Sequence, residues 1–399
     1  MKSFGSTAEQ SRIYNERVIL HLVRQFPDIS RANLAKQTGL SAQTISVITS
    51  SLLERQLLSL AGKVSGRRGQ PSIKLKINEQ GAYGLGINLD RDHISAALID
   101  FSGACVLQLE REVSFPTEIV AKQVAQDLIA EVQQTLGSDW CKVEGIGLAR
   151  PDYMHGWLES LVTDINQRSD LSSLQLALEY WTSNAFEEWL AEFTGLRCYS
   201  ELDSVAAVNY ELLLAGTAAP KHFFYLFVST ACGGSFVANG ECYFGATGKA
   251  GSFGLIPSAT GKHGKWVLEA LSLSSLRRYF IVNQQAFPIN EQAWQEEKNQ
   301  QLIDQWAGEV AQEVQPALAS VIALYDAEAI LIGGRLPSVV MTSLIHHIEV
   351  TQKSHSLLPV PPIHIAQTAH AASVLGAAVL PLYETFAPHK DVLLLNGAK

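Results

Sequence analysis

The sequence predicts an α/β protein with a small, basic, helical head at its amino end. Three observations predict it. Residues 30–71 read as a helix, a tight turn, a second helix and a basic glycine loop. Beyond residue 82, apolar strands alternate with helical periods, the pattern of an α/β body. Charge divides along the same line. Residues 1–78 hold 12 Lys and Arg against 4 Asp and Glu, a net +8, so a chain of net charge −9 leaves −17 on the remainder. A basic head on an acidic body suits a nucleic-acid partner for the head; a plain basic arm is the alternative that charge alone leaves open.

The chain has 399 residues, enough for two or three domains with separate cores. A hydrophobic content of 47% excludes a disordered chain. Cys105, Cys141, Cys198, Cys232 and Cys242 are scattered and never form a C-x-x-C pair, which favours free thiols in a reducing compartment. The first 17 residues are polar and charged, unlike a signal peptide. No apolar run reaches the roughly 18 residues that a membrane span needs. A cytoplasmic protein is expected.

In the head, Val18, Ile19, Leu22 and Val23 mark one face of a first helix. Ser30 stands where an N-cap belongs, and Gly39 fits the left-handed position that ends the next helix. Ser41 caps a third helix whose inner face is Ile45, Ile48, Leu52 and Leu53. Its outer leading edge is Ala42, Gln43, Thr44 and Ser46, short side chains of a kind that reach base edges. Leu57 to Ala61 and Ile73 to Ile77 alternate like a hairpin, with Arg67 and Arg68 on the glycine-flanked tip. This is the layout of a winged helix-turn-helix, which lays one helix in the DNA major groove. Arg31, Lys36, Arg67 and Arg68 are the expected phosphate or minor-groove contacts. An ordinary helical hairpin is the bland reading of the helices by themselves.

In the body, Tyr83–Leu89, His93–Gly103 and Cys105–Glu112 read as three successive strands. A helix follows over 118–136 and a strand over Val143–Ala149. Phe223–Ser229 runs into Thr230-Ala231-Cys232-Gly233-Gly234-Ser235, and Ala329–Ile332 into Gly333-Gly334-Arg335. Strand-to-glycine turns of this kind cradle phosphate or sugar through backbone N–H groups, although many are plain turns.

Several segments together resemble the ROK family of repressors, open reading frames and sugar kinases, in particular its repressor branch. They are Asn15-Glu16-Arg17 and Ser30–Ser46 in the head, and Ile94–Gly103, Glu201–Ala207, Ser229–Ser235, Ala238-Asn239-Gly240, Gly245–Gly251 and Ile330–Gly334 in the body. The resemblance implies a winged helix over 1–80 followed by a two-lobed, actin-like (ribonuclease H-like), ATPase-type body over 81–399. Lobe 1 would span about 81–200 plus a closing helix at 375–399, and lobe 2 about 201–374. It also implies a sugar cleft and a homodimer or tetramer.

Departures from the family pattern shape the functional expectation. Family kinases hold ATP with an Asp-x-Gly-Gly-Thr turn; the matching stretch here is Asn88-Leu89-Asp90-Arg91-Asp92. Carboxylates repel a triphosphate there. The family's zinc-ligating His corresponds to Leu255, and no cysteine follows Cys242. No metal and no cofactor are therefore expected, with His263 the loosest of metal candidates. The family's sugar-binding Asn-Asp pair corresponds to Leu202-Asp203, and a sugar-binding Glu to Ser252. A further Glu of the family matches Glu269. Asp203, Ser252 and Glu269 are thus the expected effector contacts, with an N-cap as the plainer role for Asp203. The expected protein is a DNA-binding regulator, a repressor of carbohydrate genes, with no catalytic residues and no membrane insertion. A sugar, a sugar phosphate or a protein partner would control it. The alternative is an ATP-dependent sugar kinase with a regulatory head, using Asp203 as base.

Overall fold

Short-range rules build the head. In the computed structural model, which describes residues 7–63, 73–113, 116–151, 179–215, 220–355, 357–367, 371–388 and 390–393, it opens with α1 (Ala8–Gln25), β1 (Ile29–Ser30), α2 (Arg31–Thr38) and α3 (Ala42–Glu54). The hairpin β2 (Leu58–Lys63) and β3 (Ile73–Ile77) follows. Ser30 Oγ accepts from Asn33 N at 3.2 Å and Ser41 Oγ from Thr44 N at 3.1 Å, so both helices start on a side-chain cap. Gly39 ends α2 at φ 71°, ψ 4°, a left-handed conformation that a Cβ would penalise. β1 pairs antiparallel with β3, and β3 with β2. That order of helices and strands is the order of a winged helix. The expected wing tip, with Arg67 and Arg68, lies outside the described residues.

Two five-stranded sheets form the body. The first contains β4 (Tyr83–Leu89), β5 (His93–Asp100), β6 (Cys105–Glu112), β7 (Val143–Arg150) and β8 (Cys198–Leu202), with α4 (Glu118–Leu136) and α5 (Ala185–Thr194) between strands. After α6 (Asp203–Ala215) come β9 (Phe223–Val228), β10 (Cys232–Ala238) and β11 (Glu241–Tyr243). They are followed by α7 (Leu273–Val282), α8 (Glu297–Tyr325), β12 (Ala329–Gly334), α9 (Ser338–His355), β13 (Ile363–Ile365) and α10 (Ala372–Phe386).

The strand orders are β6-β5-β4-β7-β8 and β11-β10-β9-β12-β13. Each sheet has its first strand at the centre, an antiparallel meander on one side and two parallel strands on the other. One topology is therefore built twice, giving two lobes.

Alternation along the central strands sets the layers. In β9, Phe224, Leu226 and Val228 join the core against α8, whose Trp306 is fully buried; Phe223, Tyr225 and Phe227 face Ala207 and Val208 of α6. In β4, Tyr83, Leu85, Ile87 and Leu89 pack on Ala125 and Leu128 of α4. The other face of β4 receives α10, which also packs closely on α6. A Cβ on Gly376 of α10 would lie 1.7 Å from the Ala206 carbonyl oxygen, so only glycine permits that approach. The closing helix differs from the expected 375–399. It begins at Ala372 and stops at Phe386, with Ala387 extended at ψ 148°, as the residue before Pro388 must be. Among the described residues no helix is long and apolar enough to cross a membrane.

Candidate functional site: head face and interlobe cleft

The head presents a small polar surface on a rigid mount. Ala42, Gln43 and Lys36 are exposed, while Arg31, Thr44 and Ser46 are half-buried. Thr44 Oγ1 lies 2.8 Å from Ser41 Oγ, so its hydroxyl is engaged with the cap. Val47, at 64% exposure, adds an apolar side chain among these residues. Val47 is not among the contacts expected from sequence, although its spacing from Gln43 by one helical turn places it on the same face.

Glu16 of α1 accepts from Arg12 at 3.2 Å and from Arg55 at the end of α3 at 2.8 Å, tying the outer helix to α1. From α1, Arg24 Nη2 donates to Phe101 O at 2.7 Å, with the guanidinium 5.1 Å from the Phe101 ring centroid. Arg17 Nη1 donates to Ala387 O at 3.0 Å. One hydrophobic core runs from Ile19, Leu34 and Ile45 in the head to Phe101, Leu382 and Phe386 in lobe 1. The head is thus welded to lobe 1.

The cleft lies where the two lobes meet. A cavity of about 70 Å³ opens there, lined by Asp90 and Arg91 from the β4–β5 turn, Asp203 and Ser204 from the start of α6, and Ser252 and Leu255 from lobe 2. Asp203 Oδ1 accepts from Ser204 N at 2.7 Å. Asp203 and Ser252 are brought to one wall system. Glu269 is outside it: its Oε2 accepts from Trp266 N at 2.9 Å and caps its own helical turn. Ser252 Oγ donates to Lys249 O at 2.9 Å.

Beside this cavity, the turn that would cradle phosphates is occupied by bonds between the lobes. Ser229 Oγ, at the end of β9, donates to Asp90 Oδ2 at 2.8 Å. Arg335, just past β12, donates Nη1 to Asp92 Oδ1 and Nη2 to Glu110 Oε1, both at 3.0 Å. Asp92 Oδ1 also takes His93 Nδ1 at 2.8 Å, and His93 Nε2 meets Asn88 Nδ2 at 3.1 Å.

Burial alone would raise the Asp92 carboxyl, but the His93 hydrogen bond and the Arg335 charge outweigh it and hold Asp92 at about 2. Burial would lower His93, yet its bond to Asp92 and the Asp90 charge leave it raised. Asp90, Asp92 and His93 are close enough to share a cation. The Arg335 guanidinium already supplies the positive charge on Asp92, and Ser229 holds Asp90. Sequence reasoning missed Arg335 because its partners lie more than 200 residues away.

The zinc of the family has no fit here. Leu255 is 40% exposed beside the cavity, and hydrocarbon cannot ligate a metal. The loop that follows is held by carboxylates of α8. Glu313, 2% exposed, accepts from the N–H groups of Thr260, Gly261 and Lys262 at 2.9, 3.2 and 3.3 Å, and from the Thr260 hydroxyl. Those bonds outweigh the effect of burial and hold its carboxyl below the usual range. One turn earlier, Glu309 takes Lys262 at 2.8 Å and His263 at 2.9 Å. His263 is therefore part of this loop anchor.

The ROK family model matches residues 84–383, most of the chain. The chain belongs to the ROK family. Among its relatives, this ROK protein is 23% identical over 270 residues to the xylose repressor of Bacillus subtilis, covering 66% of this chain and 67% of that one. It is 22% identical over 380 residues to the uncharacterized protein y4fQ of Sinorhizobium fredii, covering 93% and 91%. Among solved structures, it superposes with a TM-score of 0.66 on a ROK family transcriptional regulator homologous to the MLC protein of E. coli. That likeness has 21% identity and covers 94% of this chain and 98% of that one. A ROK glucokinase from Streptomyces griseus, in complex with glucose and AMPPNP, matches a smaller share of the chain. Its TM-score is 0.58 at 18% identity, with coverage of 75% of this chain and 99% of that one. These likenesses fix the two-lobed fold of the ROK body.

Proposed function

We propose that this ROK protein is a DNA-binding transcriptional repressor of carbohydrate metabolism genes, and that its cleft senses a small molecule. The observation that carries this reading is the single core joining the head to lobe 1. A change in lobe arrangement must move the outer helix with it. Relatives named as a xylose repressor and as the repressor Mlc of E. coli support the same reading.

In this mechanism two heads of a homodimer or tetramer read half-sites spaced by whole helical turns. Ala42, Gln43 and Ser46 meet base edges, while Arg31 and Lys36 contact phosphates. Arg67 and Arg68 would serve the minor groove. An effector that fits one lobe arrangement better shifts the population of head spacings. A kinase reading is disfavoured by the Ser229–Asp90 and Arg335–Asp92 bonds standing at the phosphate turn.

The test is selection of genomic fragments by the full chain, followed by a salt titration of the selected duplex. Tight binding that weakens steeply with salt is expected. Failure to select any duplex at low salt, together with turnover in a coupled ATPase assay over a sugar panel, would overturn the reading in favour of the kinase.

A further inference from the structure

One apolar side chain stands on the polar face of α3. Val47 is 64% exposed, and among the described residues of the head no large apolar side chain is more so. Phe26 and Leu60, the next most exposed, lie on other elements. The core has no need of Val47, because Ile45, Ile48 and Leu52 fill the inner face of α3. The helix gains nothing from it either: a β-branched residue is a poorer helix former than alanine or lysine. Neither packing nor propensity accounts for a valine at this position.

Its surroundings point to what covers it. Gln43, one turn earlier on the same face, is exposed, and so is Lys36 of the preceding helix. The head carries 12 Lys and Arg against 4 Asp and Glu over residues 1–78, a charge that complements a duplex. On the base edges of the major groove the thymine 5-methyl is the one apolar group; the other positions are donors and acceptors. A valine set against a donor or acceptor takes away its water without replacing the bond. Set against a methyl group, it lets both apolar surfaces leave water.

We infer that Val47 is a specificity-determining residue whose methyl groups pack on the 5-methyl of one thymine in each half-site of the operator. The inference deepens the regulator reading and rests on it. The side chain is pre-set, since β-branching leaves valine one dominant rotamer in a helix. The helix beneath it is fixed by the Arg55–Glu16 bond of 2.8 Å. Gln43 and Val47 stand about 6 Å apart along the helix axis, and base pairs rise by about 3.4 Å. The thymine therefore lies within about two base pairs of the base that Gln43 meets.

The experiment measures, by fluorescence anisotropy, binding of the full chain to the duplex that it selects from genomic fragments. Each thymine of the half-sites is replaced in turn by deoxyuridine, which removes the 5-methyl and keeps the base pair. At one position wild-type affinity should fall about fourfold per half-site, the worth of one buried methyl group. In Val47→Ala the same replacement should change affinity less than twofold. In Val47→Ile, which keeps the apolar branch, the fall should match wild type. Melting midpoints of the free chains check that both variants fold. Wild type indifferent to deoxyuridine at every position, or Val47→Ala losing as much as wild type, would overturn the inference; steeply salt-dependent binding in the same samples would leave the regulator reading standing. A chain that selects no duplex refutes the regulator reading and this inference with it.

Discussion

Replacing Arg335 with methionine should open the cleft. The substitution keeps most of the stem and removes the guanidinium that crosses between the lobes. Arg335 has 20% side-chain exposure and makes two bonds of 3.0 Å, to Asp92 and to Glu110. Asp92 is held at about 2, against an ordinary value of 3.8, which corresponds to about 2.5 kcal/mol favouring the ionised form. His93 supplies part of that, so the Arg335 share is about 1 kcal/mol. Glu110 is 39% exposed and adds at most about 1 kcal/mol after solvent screening. The expected loss is about 1–2 kcal/mol of lobe closure, a five- to thirty-fold change in the open population.

The pH dependence follows from the signs. Asp92 is lowered, so its contribution is complete above its ordinary value and disappears as pH falls through about 2. His93 is raised, so its contribution is complete below its ordinary value of 6.5 and fades as pH climbs through the raised one. Asn88, Asp90, Asp92 and Arg335 surround the His93 ring. Of these, Arg335 comes from the other lobe and opposes the His93 proton, so closure compared at pH 6 and at pH 8 should tighten as His93 loses that proton, with Asp92 unaffected. Small-angle scattering reads closure as the radius of gyration, and urea unfolding reads the energy. Identical radii and identical midpoints for wild type and Arg335→Met at both pH values would refute the argument.

Glu313→Ala should lower unfolding free energy by about 3 kcal/mol, because three loop N–H groups lose their acceptor. A chelator should leave the wild-type midpoint unchanged, and urea titrations with and without EDTA check both points. Arg24→Ala removes the bond to Phe101 O and the contact with its ring. It should cost about 2 kcal/mol and speed proteolysis between residues 78 and 82, read by mass spectrometry. Gln43→Ala should relax base preference at one operator position by about 1–3 kcal/mol, whereas Arg67→Ala with Arg68→Ala should flatten the salt slope; fluorescence anisotropy on the selected duplex and its single-base variants separates the two.

Local chemistry is legible in the sequence itself. Ser30, Gly39 and Ser41 act through atoms no more than four residues away, so their spacing states their role. The helix at 118–136 follows from a period, and the strand at Ile73–Ile77 from alternation; both depend only on near neighbours. The ROK motifs likewise placed Asp203 and Ser252 at the cleft. Glu269 was legible only as a family match, and its carboxylate turns back three residues to accept from Trp266 N and cap its own helical turn.

Tertiary structure decided the rest. Arg335 reads as the end of a glycine turn until the second sheet sets it 3.0 Å from Asp92, across 243 positions of chain. Glu313 reads as one more charge on a long helix until a loop 53 residues away closes over it. Arg24 reads as a basic residue of a DNA-binding head, yet it joins that head to the body at Phe101. Helix caps and turns are set by the few atoms that a short stretch of chain must bring together. Which distant charges meet is set by how two sheets close on each other, and that geometry belongs to the folded chain as a whole.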